Sequence, residues 1–263
     1  MDAQYIEAMR NASPPTASPP VALEGHPAAA ARRWTSRIAW PCEVCGQWQG
    51  SGLCGACLQR FVLGQPATCP RCALPCPGGR VCGDCLRHPP PYSACTAAVG
   101  YGFPWDRLVA RLKFQAQPEL AGLLAGLLHQ ALQAAAPTGA ARADWVLPVP
   151  LSPARLAERG YNQAWELARR LARLQRLPAR ADLLLRLRDT PHQVGLSRHQ
   201  RERNLHDALW VDRRVANLAG RHVALVDDVL TTGGTAVAAT QALHAAGAAS
   251  VQVWVVARTP ARV

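Results

Sequence analysis

The thirteen residues "VALVDDVLTTGGT", Val223 to Thr235, decide the fold. With Arg221 and His222 before it, the stretch is apolar at consecutive positions. That is the pattern of a central parallel strand buried on both faces. It delivers two adjacent carboxylates, Asp227 and Asp228, to the strand's carboxyl end, where open α/β sheets bind ligands. The loop Thr231-Thr232-Gly233-Gly234-Thr235 follows and leads into a helix. Glycines let backbone N–H groups approach an anion, threonine hydroxyls donate to it, and the helix N-terminus favours its charge. No G-K-[ST] ends the loop, and the glycines do not have the dinucleotide spacing. A bare phosphate site would avoid negative charge, so the acidic pair requires a ligand that also brings hydroxyls or Mg²⁺. A ribose 5-phosphate meets both demands. The plain alternative is two strand-end aspartates, one of them capping the next helix; the whole pattern speaks against it.

Working outward, strand-like and helix-like stretches alternate from residue 94 to residue 260. "ACTAAVGYG" (94–102) reads as a strand, "WDRLVARLKF" (105–114) and "ELAGLLAGLLHQALQAA" (119–135) as helices, and "DWVLPVP" (144–150) as an apolar strand. The stretch 152–175 reads as a helix with Ala164, Trp165, Ala168, Leu171 and Ala172 on one face and Arg169, Arg170 and Arg173 on the other. "ADLLLRL" and "HDALWV" are further strand candidates, and "SVQVWVVA" is the last strand, after a helix over 235–246 that stops at Gly247. Such alternation implies a parallel α/β sheet flanked by helices. Residues 1–38 are rich in Pro, Ala and Ser without periodicity and read as a disordered extension. The expected organisation is therefore 1–38 disordered, 39–91 a Cys-rich module, and 92–263 the α/β domain.

The formal charge of +12 comes almost wholly from arginine, because Lys113 is the only lysine in the chain. Arginine richness fits either a bias in base composition or contacts with polyanions. A lysine that survives such a bias is a candidate for a site. No apolar run reaches the ~18 residues of a membrane span, so no membrane insertion is expected. "MDAQYIEAMRNASPPTASPP" lacks the basic start and apolar core of a secretory signal, which points to a cytoplasmic protein.

Ten cysteines include four C-x-x-C pairs: Cys42/Cys45, Cys54/Cys57, Cys69/Cys72 and Cys82/Cys85. "CEVCGQWQGSGLCGACL" and "CPRCALPCPGGRVCGDCL" repeat one layout. Two such knuckles supply the four thiolates of a closed, structural zinc site, so eight ligands imply two Zn²⁺ ions. The pairing is sequential in the simplest reading, with an interleaved arrangement also open. Cys76 lies in a loop as a substitute ligand, and Cys95 is expected in the core. The module serves as a folding staple, or as a platform for protein or nucleic acid.

Several separate motifs carry a family resemblance over residues 40–260. "VALVDDVLTTGGT" resembles the phosphoribosyl pyrophosphate (PRPP) signature of type I phosphoribosyltransferases. "LKF", "PVPLSPARLAERGYNQAWELA", "RLRDTPHQVGLSRHQRERN" and "CGDCLRHPPP" together resemble the competence protein F (ComF) family, which joins a zinc ribbon to such a domain. The resemblance implies that Asp227 and Asp228 contact the ribose and that Thr231, Thr232, Gly233, Gly234 and Thr235 hold the 5-phosphate. It puts the pyrophosphate loop at "PVPLSPARLAERG", with Arg155 and Arg159 as charge contacts. It makes "RDTPHQVGLSRHQRERN" the mobile cover, with Arg188, Gln193, Arg201 and Asn204 as contacts and Lys113 as a further candidate. Any one of these arginines also fits a solvated helix face. The implied chemistry is displacement at the anomeric carbon of PRPP with Mg²⁺. The alternative is a non-catalytic PRPP-binding module, or an adaptor that engages single-stranded DNA or a DNA-uptake motor.

Overall fold

The computed structural model describes residues 41–48, 52–135, 141–186, 209–212 and 217–261. The chain divides into two compact units, residues 1–54 and 55–263. The extension 1–38 lies outside the described residues. In the second unit two short helices, α1 (Gly55–Phe61) and α2 (Gly83–Arg87), precede the sheet. Strand β1 (Ala94–Gly100) leads to α3 (Trp105–Phe114) and α4 (Leu120–Ala134). Next come β2 (Trp145–Pro148), α5 (Pro153–Arg159), α6 (Gln163–Gln175), β3 (Leu184–Arg186) and β4 (Leu209–Val211). The order ends with β5 (His222–Leu230), α7 (Gly234–Ala245) and β6 (Ser250–Arg258).

The main sheet has the order β1-β6-β5-β2 with every pair parallel. Val223, Ala224, Leu225 and Val226 of β5 are fully buried, as the unbroken apolar run requires. Helices α4 and α6 pack together and against strands of this sheet, and their Leu124, Leu128, Leu167 and Leu171 are fully buried. Each such side chain is worth ~1.5–3 kcal/mol on burial. Helix α7 packs against β6 and β4, with Ala239 and Leu243 in the core beside Tyr92, Cys95 and Ala73. Cys95 is therefore a core residue, as expected, and burial pushes its thiol up to about 12. Among the described residues no helix is long and apolar enough to cross a membrane.

Two elements differ from the sequence reading. The stretch 152–175 forms two helices, because Gly160 closes α5 in the left-handed region (φ 76°) and Asn162 opens α6. Asn162 Oδ1 accepts from the N–H groups of Ala164 (2.9 Å) and Trp165 (3.3 Å), a side-chain N-cap. Its Nδ2 donates to Val149 O at 3.1 Å, which fixes the helix start to the end of β2. The second difference concerns β3 and β4. They pair with each other, antiparallel, in a separate two-stranded sheet and do not join the parallel one.

Candidate functional site

Strand β5 ends between β2 and β6, and there the acidic pair meets the loop into α7. Asp228 is 2% exposed, and its Oδ1 accepts from Lys113 Nζ at 2.8 Å. The one lysine of the chain thus lies at the acidic pair. Asp228 N donates to Asp227 Oδ1 at 2.9 Å. Burial, and then the charge of Asp228, push the Asp227 carboxyl up to about 7, while Lys113 and Arg186 pull the other way. Asp228 Oδ2 is buried and has no hydrogen-bond partner among the described residues, so the pair still has an acceptor to offer.

The loop itself is open. Thr231 and Thr232 are exposed and Gly233 is buried. Gly233 caps α7 at φ 85°, a backbone conformation that disfavours a side chain. A Cβ there would also lie 3.8 Å from the Tyr92 hydroxyl. Gly234 and Thr235 begin α7, so its first N–H groups face the loop.

On the basic side, Arg159 at the end of α5 lies over the ring of Phe114, 5.0 Å from its centroid. Phe114 follows Lys113, and the Tyr161 hydroxyl donates to Leu112 O in the same turn of α3. Arg159 and Lys113 are in this way tied to one helix end. Arg159 Nε is buried without a partner among the described residues. Arg155 is half-buried on α5. Arg188, Gln193, Arg201 and Asn204 lie outside the described residues. Sequence reasoning missed Arg186, which is 7% exposed at the end of β3 and whose charge is felt at Asp227. Its only signal was the arginine-rich setting. It also missed Tyr92 and Arg258, whose contacts bridge distant parts of the chain.

The cysteines gather into two groups, Cys42, Cys45, Cys54, Cys57 and Cys69, Cys72, Cys82, Cys85, with the sulfurs of each group within 4.8 Å of one another. The pairing is therefore sequential, and Cys76 stands outside both groups. Both clusters fit zinc. The Cys45–Cys54 and Cys72–Cys82 sulfur pairs are 3.7 Å apart. A tetrahedral site with Zn–S of ~2.3 Å has edges of about 3.8 Å. Burial would raise the Cys42 thiol, but N–H groups of Cys45, Cys54 and Val44 aimed at its sulfur bring it down to about 6. The same balance, with N–H groups of Cys82, Arg71 and Cys72, sets Cys69 at about 7. Such donors favour the thiolate that a metal binds.

The parallel sheet order and the helix-capped loop after β5 define a phosphoribosyltransferase-like α/β fold. Residues 156–263 match the phosphoribosyl transferase domain family. The chain belongs to the ComF/YhgH family of DNA utilization and competence proteins, which carry this domain. It is 36% identical over 227 residues to the DNA utilization protein YhgH of Escherichia coli strain K12, covering 84% of this chain and 97% of that one. It is 36% identical over 178 residues to competence protein F of Haemophilus influenzae, covering 67% and 78%. The adenine phosphoribosyltransferase of Leishmania tarentolae aligns over 52% of this chain and 55% of its own, at 20% identity and TM-score 0.31.

Proposed function

We propose that this chain binds PRPP with Mg²⁺ at the carboxyl end of β5 and transfers its phosphoribosyl group, in a process linked to DNA uptake. The observation that carries the reading is the Asp227–Asp228 pair, with Asp228 buried and partnered by the sole lysine, beside a Thr/Gly loop at a helix N-terminus whose two threonines are exposed. Asp227 and Asp228 accept from the ribose 2- and 3-hydroxyls. Thr231, Thr232, Gly233, Gly234 and Thr235 hold the 5-phosphate through N–H and hydroxyl donors. Arg155, Arg159 and Lys113 supply positive charge for the pyrophosphate, and Arg188, Gln193, Arg201 and Asn204 belong to the cover. Mg²⁺ bound with the ligand would neutralise pyrophosphate charge. In the transfer the bond between the anomeric carbon and the pyrophosphate oxygen breaks, its electron pair leaving with pyrophosphate. A lone pair of the acceptor forms the new bond. Fixed arginines and the acidic pair stabilise the separated charges.

A second reading, a non-catalytic PRPP-binding adaptor that holds single-stranded DNA, draws support from one surface. Arg60 lies over Phe61 (5.4 Å), Phe61 meets Phe103 edge to face (5.6 Å), and Arg107 lies over Phe103 (5.1 Å). Phe103 is 56% exposed, and such a row of rings and guanidinium groups suits base stacking. Titration of PRPP with Mg²⁺, followed for heat and pyrophosphate release over a panel of bases and amines, tests both readings. Binding with release supports the transferase. Binding without release, together with an oligonucleotide shift lost in Phe103→Ala, supports the adaptor. Asp227→Asn with Asp228→Asn should abolish binding while zinc content stays the same; unchanged affinity in the double variant overturns the site.

A further inference from the structure

The three residues that follow the first ligand of the second four-cysteine cluster bond it to β1, to the segment just before β1, and to β6. Pro70 O accepts from Cys95 N at 2.8 Å, at the start of β1. Arg71 Nη1 donates to Tyr92 O at 3.0 Å. Cys72 O accepts from Arg258 Nε at 2.8 Å. The same Arg258 guanidinium turns its Nη1 to Leu230 O at 2.8 Å and to Thr231 O, the last carbonyl of β5 and the first of the loop that follows it. Tyr92, held at its carbonyl by Arg71, is buried with its hydroxyl beside Gly233. Two arms therefore run from one knuckle to the two ends of the Thr231–Gly233 turn. One is Cys72–Arg258–Leu230/Thr231, and the other is Arg71–Tyr92–Gly233.

We infer that Arg258 and Tyr92 are positioning residues through which the metal of the second four-cysteine cluster sets the loop, so that losing this metal weakens PRPP binding. This rests on the reading of the loop as the phosphate site. The physical reason is geometric. A planar guanidinium presents its donors in a fixed fork, so the positions of Cys72 O and of the two loop carbonyls depend on each other. Closure of four thiolates on one ion fixes the backbone from Cys69 to Cys72, and opening that closure frees it. Arg258 then keeps acceptors on the loop side only, and the turn loses its anchor. A phosphate held by several backbone N–H groups at once is sensitive to displacements of that kind.

The experiment uses the full chain and PRPP·Mg²⁺ as the probe. Arg258→Ala should retain both zinc ions and bind PRPP about tenfold more weakly or worse, the loss of hydrogen bonds from a charged donor. Cys82→Ser, which removes one ligand of the second cluster, should weaken binding at least as much. The double variant should be no weaker than Cys82→Ser alone, because the two changes break one path. Fully additive losses, or an Arg258→Ala affinity equal to wild type, overturn the inference. Hydrogen exchange gives an arm that needs no variant and no PRPP. As zinc is withdrawn from the wild-type chain, amides 230–235 should lose protection while those of α6 keep theirs. Unchanged loop protection overturns the coupling. If the wild-type chain does not bind PRPP, the proposed function fails, and exchange alone decides the coupling.

Discussion

The two four-cysteine knuckles are built alike and anchored differently. In the first, Cys42 N donates to Gln47 O and Gly46 N to Cys42 O, each at 2.8 Å; in the second, Cys69 N donates to Leu74 O and Ala73 N to Cys69 O, again at 2.8 Å. Cys54 N reaches Cys42 Sγ at 3.3 Å, as Cys82 N reaches Cys69 Sγ at 3.3 Å. The pairing of Pro41 with Trp48 is matched by that of Thr68 with Pro75. The difference lies in the residue that must adopt a left-handed backbone. In the first knuckle it is Gly46 (φ 75°), exposed, with nothing within 4 Å of where a Cβ would be. In the second it is Ala73 (φ 57°), 2% exposed and part of the hydrophobic core. An alanine in that region costs ~1–2 kcal/mol. The second knuckle accepts that cost because its methyl group packs with the core. One four-cysteine hairpin layout thus turns on an exposed glycine in one copy and on a core alanine in the other.

The largest effect that would test this contrast is loss of a first ligand. Cys69→Ser should lower the melting temperature of the sheet unit by on the order of 10 °C, from a loss of about 3–5 kcal/mol. Cys42→Ser should reduce zinc to one ion per chain and shift that transition by less than half as much. Calorimetry with metal analysis checks both, and equal shifts would erase the distinction between the copies.

A smaller effect is the pH dependence of the sheet into which the second knuckle is bonded. Asp227 is raised from its ordinary value to about 7, chiefly by burial. Between the unfolded and folded values the native state holds a proton that the unfolded chain has released, so stability falls as pH rises. The contribution is full below the unfolded carboxyl value and lost as pH climbs through about 7. From about pH 5.5 to about pH 8 the wild type should lose melting temperature relative to Asp227→Asn, which removes the titrating group and leaves the thiolates common to both. Parallel curves would refute the shift.

The smallest effects come from exchanging the two left-handed residues. Gly46→Ala should destabilise its knuckle by about 1–2 kcal/mol, the backbone cost alone. Ala73→Gly relieves that strain but loses a buried methyl worth ~0.8 kcal/mol and adds glycine's chain entropy, so the balance lies near zero. Denaturant-driven zinc release reads both changes.

Local patterns in the sequence carried most of the architecture. The apolar run of β5, the repeated Cys spacing, and the one-sided apolar face of α6 each lie within one short window, where periodicity and ligand spacing act. The split between α5 and α6 was marked by Gly160 and Asn162, but the apolar face continuing after them hid it. The antiparallel pairing of β3 with β4 depends on what the parallel sheet leaves unpaired, which no single segment encodes. The site divides in the same way. Asp227, Asp228 and the Thr/Gly loop are contiguous and were legible. The Lys113–Asp228 pair spans more than a hundred residues, and only the rarity of lysine hinted at it. Arg258 joins Cys72 across 186 positions, and its role follows from three-dimensional packing alone.

The solitary lysine has a consequence for observing this protein. Lys113 is 22% exposed at its side chain and pairs with Asp228. Reductive methylation with isotopically labelled formaldehyde would therefore place a spectroscopic tag on a single side-chain amine, inside the acidic end of the sheet. Its one resonance would report the ionisation of the neighbouring carboxylates and the arrival of a ligand, without an engineered label anywhere in the chain.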